Sequence, residues 1–171
     1  MKTETIEIAA ATRRERTWAA NLLARSEPWT TLGVTRRQCR LACHDPEYLL
    51  FIARAVNVRR PGRGERGPTA AAGSGRPLGV LILHPRGVAG SPYVKSIAVD
   101  GRYRGRGTGA ALMAFAEDRF RDRARHMFLC VSSFNTRART FYRRLGYRQV
   151  GRFRDYVIPG ADELLMHKRL R

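Results

Sequence analysis

Residues 99–109 read Val99-Asp100-Gly101-Arg102-Tyr103-Arg104-Gly105-Arg106-Gly107-Thr108-Gly109. Upstream, Tyr93–Val99 is apolar on alternating positions, as a strand is. Downstream, Gly107–Arg121 places Ala111, Leu112, Phe115, Ala116 and Phe120 on one helical face. The stretch is therefore a strand-to-helix turn. Its glycines let backbone amides turn toward a ligand with no Cβ in the way. The unsatisfied amides of the first helical turn, backed by the helix dipole, face an anion there. Arg104 and Arg106 add charge suited to a pyrophosphate. No Gly-Lys-Ser/Thr follows, so it is not a Walker loop, and the third glycine of the dinucleotide fingerprint is missing. By itself the turn reads either as a phosphate cradle or as a plain tight connection.

Working outward, Ile6 and Ile8 mark a first strand. Thr12 caps a helix over Arg13–Arg25, with Trp18, Leu22 and Leu23 at helical spacing. A loop over Ser26–Val34 leads to Thr35-Arg36-Arg37-Gln38, which has capping-box spacing and starts a helix to His44. Glu47–Val56 and Leu78–His84 read as strands. Met127–Val131 is a buried-type apolar run, and Asn135–Leu145 is a helix closed by Gly146. Tyr147–Ile158 and Leu164–Leu170 are the last two strands. The order β-α-α-β-β-β-α-β-α-β-β predicts a mixed α/β domain on one central sheet. Between the second and third strands, the 21 residues Asn57–Pro77 hold five glycines, three prolines and five arginines. That composition is expected to form a flexible hairpin loop inserted at 57–77.

At 171 residues the chain is sized for a single domain, 1–171. Its apolar runs, such as Tyr48–Ala53, are far too short to span a membrane, and Met1–Ile8 has no secretory pattern. Cys39, Cys43 and Cys130 lack paired metal spacing; they read as reduced thiols of a cytoplasmic protein, with no metal. The net charge of +19 comes from 33 basic and 14 acidic residues spread over both halves. Such a field attracts polyanions: nucleic acid, a ribosomal surface, or a phosphorylated cofactor.

Arg104-Gly105-Arg106-Gly107-Thr108-Gly109 resembles the Arg/Gln-x-x-Gly-x-Gly/Ala loop of the GNAT family of N-acetyltransferases. A second stretch, from Asn135 through Ala138, Phe141 and Tyr142 to Gly146-Tyr147, is similar to that family's Asn-x-x-Ala-x-x-Phe-Tyr-x-x-x-Gly-Phe/Tyr signature. The likeness extends from about Ile6 to Arg169 and is to the small bacterial single-domain members. It implies a mixed central sheet of about seven strands flanked by four helices and splayed between strands 4 and 5. The implied activity is transfer of an acetyl group from acetyl-CoA to a primary amine of a small molecule, peptide or protein. A monomer or homodimer is expected. The alternative is a basic RNA- or ribosome-binding module on the same fold with vestigial catalysis.

The resemblance also implies roles for particular residues. Ile97, Ala98 and Val99 would meet the pantetheine arm, and Arg104, Gly105, Arg106, Gly107, Thr108 and Gly109 the pyrophosphate. Asn135 and Ala138 would flank the arm, and Tyr142 would protonate the leaving thiolate. Trp29, Asp155 and Tyr156 would line the acceptor side. One departure concerns the general base. Cys130 stands where acetyltransferases of protein N-termini often have a fifth-strand glutamate, leaving His84, Asp155, Glu163 or a water chain as the proton acceptor.

Overall fold

A computed structural model describes residues 3–58 and 75–171. The elements run β1 (Thr3–Ala10), α1 (Arg13–Ala24), α2 (Arg36–His44), β2 (Leu49–Val58), β3 (Arg76–Val88), β4 (Ser91–Val99), α3 (Thr108–Phe120), β5 (His126–Ser132), α4 (Thr136–Arg144), β6 (Arg148–Ile158) and β7 (Ala161–Arg169). The strands form one sheet in the order β1-β2-β3-β4-β5-β7-β6. The expected seven-stranded mixed sheet with four helices is thus what the described residues form. No helix among them is long and apolar enough to cross a membrane.

Several strand limits differ from the sequence reading, among them the start of β7, at Ala161 where Leu164 was expected. β3 continues past His84 and Pro85 to Val88, which pairs with Ser91 across a turn at Ala89-Gly90. Gly90 takes φ +75°, which glycine adopts without strain. Asn57, Val58, Arg76 and Pro77, expected in the insert, belong to β2 and β3. Residues 59–74 of that insert lie outside the described residues.

Period-2 alternation divides the core. Leu50, Ile52, Val80 and Ile82 face α1 and α2, packing on Ala19, Leu22, Leu23, Cys39 and Cys43. Phe51, Ala53, Leu81 and Leu83 face the opposite way, toward Leu112, Met113 and Ala116 of α3 and Tyr142 of α4. Both capping boxes form as the sequence spacing predicts, Thr12 with Glu15 and Thr35 with Gln38.

Glu15 does more than cap. Its carboxylate accepts from Arg54 Nε and Nη2 at 2.6 and 2.7 Å, and Arg54, in the middle of β2, is only 1 % exposed. Burial pushes the Glu15 carboxyl up, but the Arg54 and Thr12 hydrogen bonds outweigh it and hold the group below its ordinary value of 4.5. A lowered folded-state pKa means the pair's contribution is complete above that ordinary value and is lost as pH falls through the lowered one. Glu15→Gln keeps a capping acceptor but strands the Arg54 charge, so urea melts at pH 7 should show a loss of about 3 kcal/mol. The deficit relative to wild type should shrink as pH drops below 4; a constant deficit would mean the charge is irrelevant.

The feature that matters most for function is where the sheet opens. β4 and β5 are its one parallel pair, and their register holds only at Tyr93↔Phe128 and Val94↔Leu129. Opposite β3, Ile82 pairs with Ser96 while Leu83 pairs with Val94, so Lys95 is an extra residue on β4. Such a bulge bends and twists its strand. Beyond it, Lys95–Val99 and Cys130–Ser132 run unpaired with each other and leave a wedge.

Candidate active site

At one side of the wedge is the glycine-rich turn. The Asp100 side chain accepts from the Arg102 N–H at 3.1 Å and starts a 3-10 turn over Gly101–Tyr103. The Arg102 hydrogen bond holds the Asp100 carboxyl below the usual carboxylate range, and Arg25 adds a second ion pair at 3.1 Å. Gly105 and Gly107 then take φ +76° and +84°, and no atom stands within 4 Å of where a Cβ would lie on either. Gly107 is the N-cap of α3 and has no side chain to satisfy the helix. The Ala111 N–H bonds back to the Gly107 carbonyl at 2.9 Å, so the amides of Thr108, Gly109 and Ala110 have no place in the helical ladder. The first turn has no acidic residue. Positive backbone ends, open space and an uncapped helix together fit a phosphate group.

The wedge and this turn border a single cleft of about 1170 Å³. Ile97, Ala98 and Val99 line it from β4. Arg104, Gly105, Gly107, Thr108 and Gly109 line it from the turn, and Asn135, Ala138 and Tyr142 from α4. Trp29 and Tyr156 border it as well. Arg106 and Asp155 are not among the lining residues. The Arg106 guanidinium lies 5.9 Å over the Tyr103 ring, and Asp155, at φ +46°, accepts from the Gly160 N–H at 2.6 Å within the β6–β7 turn. The Arg104 Nε donates to the Val99 carbonyl at 3.0 Å, tying the turn to the end of β4.

On α4, the Asn135 Oδ1 accepts from the Ala138 N–H at 3.1 Å, so this side chain caps the helix it begins. Its amide nitrogen makes no hydrogen bond among the described residues. Tyr142, two turns on, is 6 % exposed and packs beside Phe141 and Tyr147, with ring centroids 5.3 and 6.1 Å away. Burial pushes its phenol well above the ordinary tyrosine value, and no described residue hydrogen-bonds the hydroxyl. A buried hydroxyl that borders a cleft without a protein partner is suited to a ligand.

Among the residues weighed as proton acceptors, His84 lies outside the cleft lining. Its Nδ1 accepts from the Arg86 N–H, and its ring meets Tyr48 edge-on. Cys130 borders the cleft, but burial raises its thiol, against the opposing effect of the Tyr93 hydrogen bond, so it stays protonated. Glu163, on β7 opposite Ser132 of β5, also borders the cleft. Sequence reading could give Glu163 no more weight than the others, because its place depends on β7 lying beside β5. Lys95 and Tyr93, which share that part of the cleft, had no sequence signal beyond their strand. Among the described residues no three His, Cys, Asp or Glu side chains gather as metal ligands.

Comparison with known proteins agrees with this geometry. Residues 26–147 match the model of the Acetyltransferase (GNAT) family. Among solved structures, the ribosomal-protein-S18-alanine N-acetyltransferase of Escherichia coli is 19 % identical. It aligns over 97 % of this chain and 94 % of its own, with a TM-score of 0.69. Arabidopsis thaliana NAA60 in complex with acetyl-CoA is 15 % identical over 96 % and 98 % of the two chains, also at a TM-score of 0.69. A nourseothricin acetyltransferase is 26 % identical over 74 % and 68 %, at a TM-score of 0.58. Among curated proteins there is no match. With the family match spanning most of the sheet, the wedge and the uncapped helix, the chain belongs to the GNAT family and is an acetyl-CoA-dependent N-acetyltransferase.

Proposed function

We propose that the chain moves the acetyl group of acetyl-CoA directly to a primary amine while both substrates are bound, with Tyr142 protonating the departing thiolate. The observation that carries this reading is the sharing of one cleft by an uncapped helix N-terminus and Tyr142, whose hydroxyl has no partner among the described residues. In this reading the Thr108–Ala110 amides and Arg104 hold the pyrophosphate, the unpaired stretch of β4 meets the pantetheine amides, and the free amide of Asn135 faces the same arm. Trp29 and Tyr156 border the amine's side of the cleft. Two fold neighbours act, by name, on an alanine of a ribosomal protein and on nourseothricin, so either a peptide or a small molecule suits the reading.

The test is acetyl-CoA turnover against a panel of peptides, polyamines and amino sugars. Initial rates with both substrates varied should give intersecting double-reciprocal lines. Parallel lines would indicate an acetylated enzyme, with Cys130 as its first candidate, and would overturn direct transfer. The competing RNA-binding reading predicts tight RNA association that falls steeply with salt, together with no acetyl-CoA binding heat.

A further inference from the structure

We infer that Glu163 is the proton acceptor for the attacking amine, receiving the ammonium proton where the wedge between β4 and β5 opens. The inference rests on the acetyl-transfer reading and assigns the base that reading lacks. Glu163 is 8 % exposed and borders the cleft that Tyr142 also borders. It is held from one side only: the Ser132 hydroxyl donates to its Oε1, and no other hydrogen bond to it forms among the described residues. Its Oε2 is thus available to a ligand. Its register partner on β6 is Phe153, an apolar neighbour that also lines the cleft.

The charged and titratable groups around it are few. Lys95, the bulged residue of β4, lowers its pKa by attraction, and the Ser132 hydrogen bond acts in the same direction. Burial is the larger influence and leaves the carboxyl above its ordinary value of 4.5, closer to the operating range of a base near neutral pH. Tyr93 and Cys130, the other titratable neighbours, are both raised by burial, so they stay neutral and add no competing negative charge.

The proton balance is explicit. The bound ammonium gives one proton to Glu163 Oε2, which frees the nitrogen lone pair. That pair forms the new C–N bond at the thioester carbonyl, and the C–S bond breaks with its electrons on sulfur. Tyr142 protonates the thiolate and is reprotonated by the second proton from nitrogen. Glu163 returns its proton to water.

Two probe amines separate a base from a structural carboxylate. Ethylamine is an ammonium ion at pH 7, whereas 2,2,2-trifluoroethylamine, nearly the same shape, is already neutral. Glu163→Gln should lower kcat/KM for ethylamine by about 10²-fold. The loss for trifluoroethylamine should be at least about tenfold smaller, because little deprotonation remains to be catalysed. Acetyl-CoA affinity and melting temperature, measured in parallel, should match wild type. Equal losses with both amines, or no loss, would overturn the role of Glu163 and leave acetyl transfer standing. Failure of the wild type to bind acetyl-CoA would overturn the underlying reading instead.

Ser132→Ala provides a second arm should the glutamine variant fold poorly. Loss of the donor to Oε1 raises the Glu163 pKa, so the acidic limb of the kcat/KM–pH profile should move to higher pH. An unmoved limb would overturn the assignment.

Discussion

Tyr142→Phe should reduce turnover by about 10²-fold while leaving acetyl-CoA affinity and thermal stability nearly unchanged. The phenyl ring keeps its packing on Phe141 and Tyr147, and the hydroxyl it loses has no partner to orphan among the described residues. In the proposed mechanism, what disappears is the proton given to the departing thiolate. Burial raises the phenol above its ordinary value of 10.0, so Tyr142 remains protonated throughout the neutral range. For the same reason wild-type turnover should show no loss from Tyr142 ionisation as pH rises to 9. A departing thiolate resembling that of free cysteine, pKa near 8.5, is the weaker base, so transfer must occur within the transition state. Wild-type rates in the phenylalanine variant, with turnover independent of solvent viscosity, would make Tyr142 a packing residue.

Replacing Gly107 should have the largest effect on binding. At φ +84° a β-branched residue is strained, and its side chain would project into the open space beside the Thr108–Ala110 amides. Hydrogen bonds to a charged group contribute roughly 1.5–3 kcal/mol each, so displacing two weakens acetyl-CoA by about 3 kcal/mol or more, roughly a hundredfold in Kd. Calorimetric titration of Gly107→Val measures this. Gly107→Asn separates strain from obstruction, since asparagine tolerates the left-handed region yet still fills the space. Both variants should lose affinity, with the valine variant alone losing melting temperature as well. Normal binding by Gly107→Asn would place the pyrophosphate elsewhere.

Much of this arrangement was legible in the chain itself. Local signals were enough where the physics is local. Alternation along Leu50–Ala53 and Val80–Leu83 assigns each side chain to one face of a pleated strand. The spacings Thr12–Glu15 and Thr35–Gln38 satisfy orphan amides within a single turn. The Gly105–Gly109 spacing marks a turn with positive φ that opens a helix, and the Asn135–Tyr142 interval brings both residues to one cleft. All of these depend on neighbours within about seven residues.

Tertiary structure decided what depends on contacts distant in sequence. Nothing around Arg54 announces that a charge in mid-strand is buried, because its partner Glu15 is 39 residues away on another element. The wedge requires both the extra residue Lys95 in β4 and a partner, β5, that does not follow the bend; neither alternation nor composition encodes that register. Glu163 is one acid among 14 in the sequence. It becomes a candidate base only because β7 inserts between β5 and β6, setting it across from Ser132 and burying it beside the cleft. The sequence alone therefore determined most of the elements and the glycine-rich turn, since these follow from short-range spacing, and two short motifs carried the resemblance to the family. That Glu163 borders the cleft was decided by strand order, because burial and proximity between distant residues exist only once the sheet has formed.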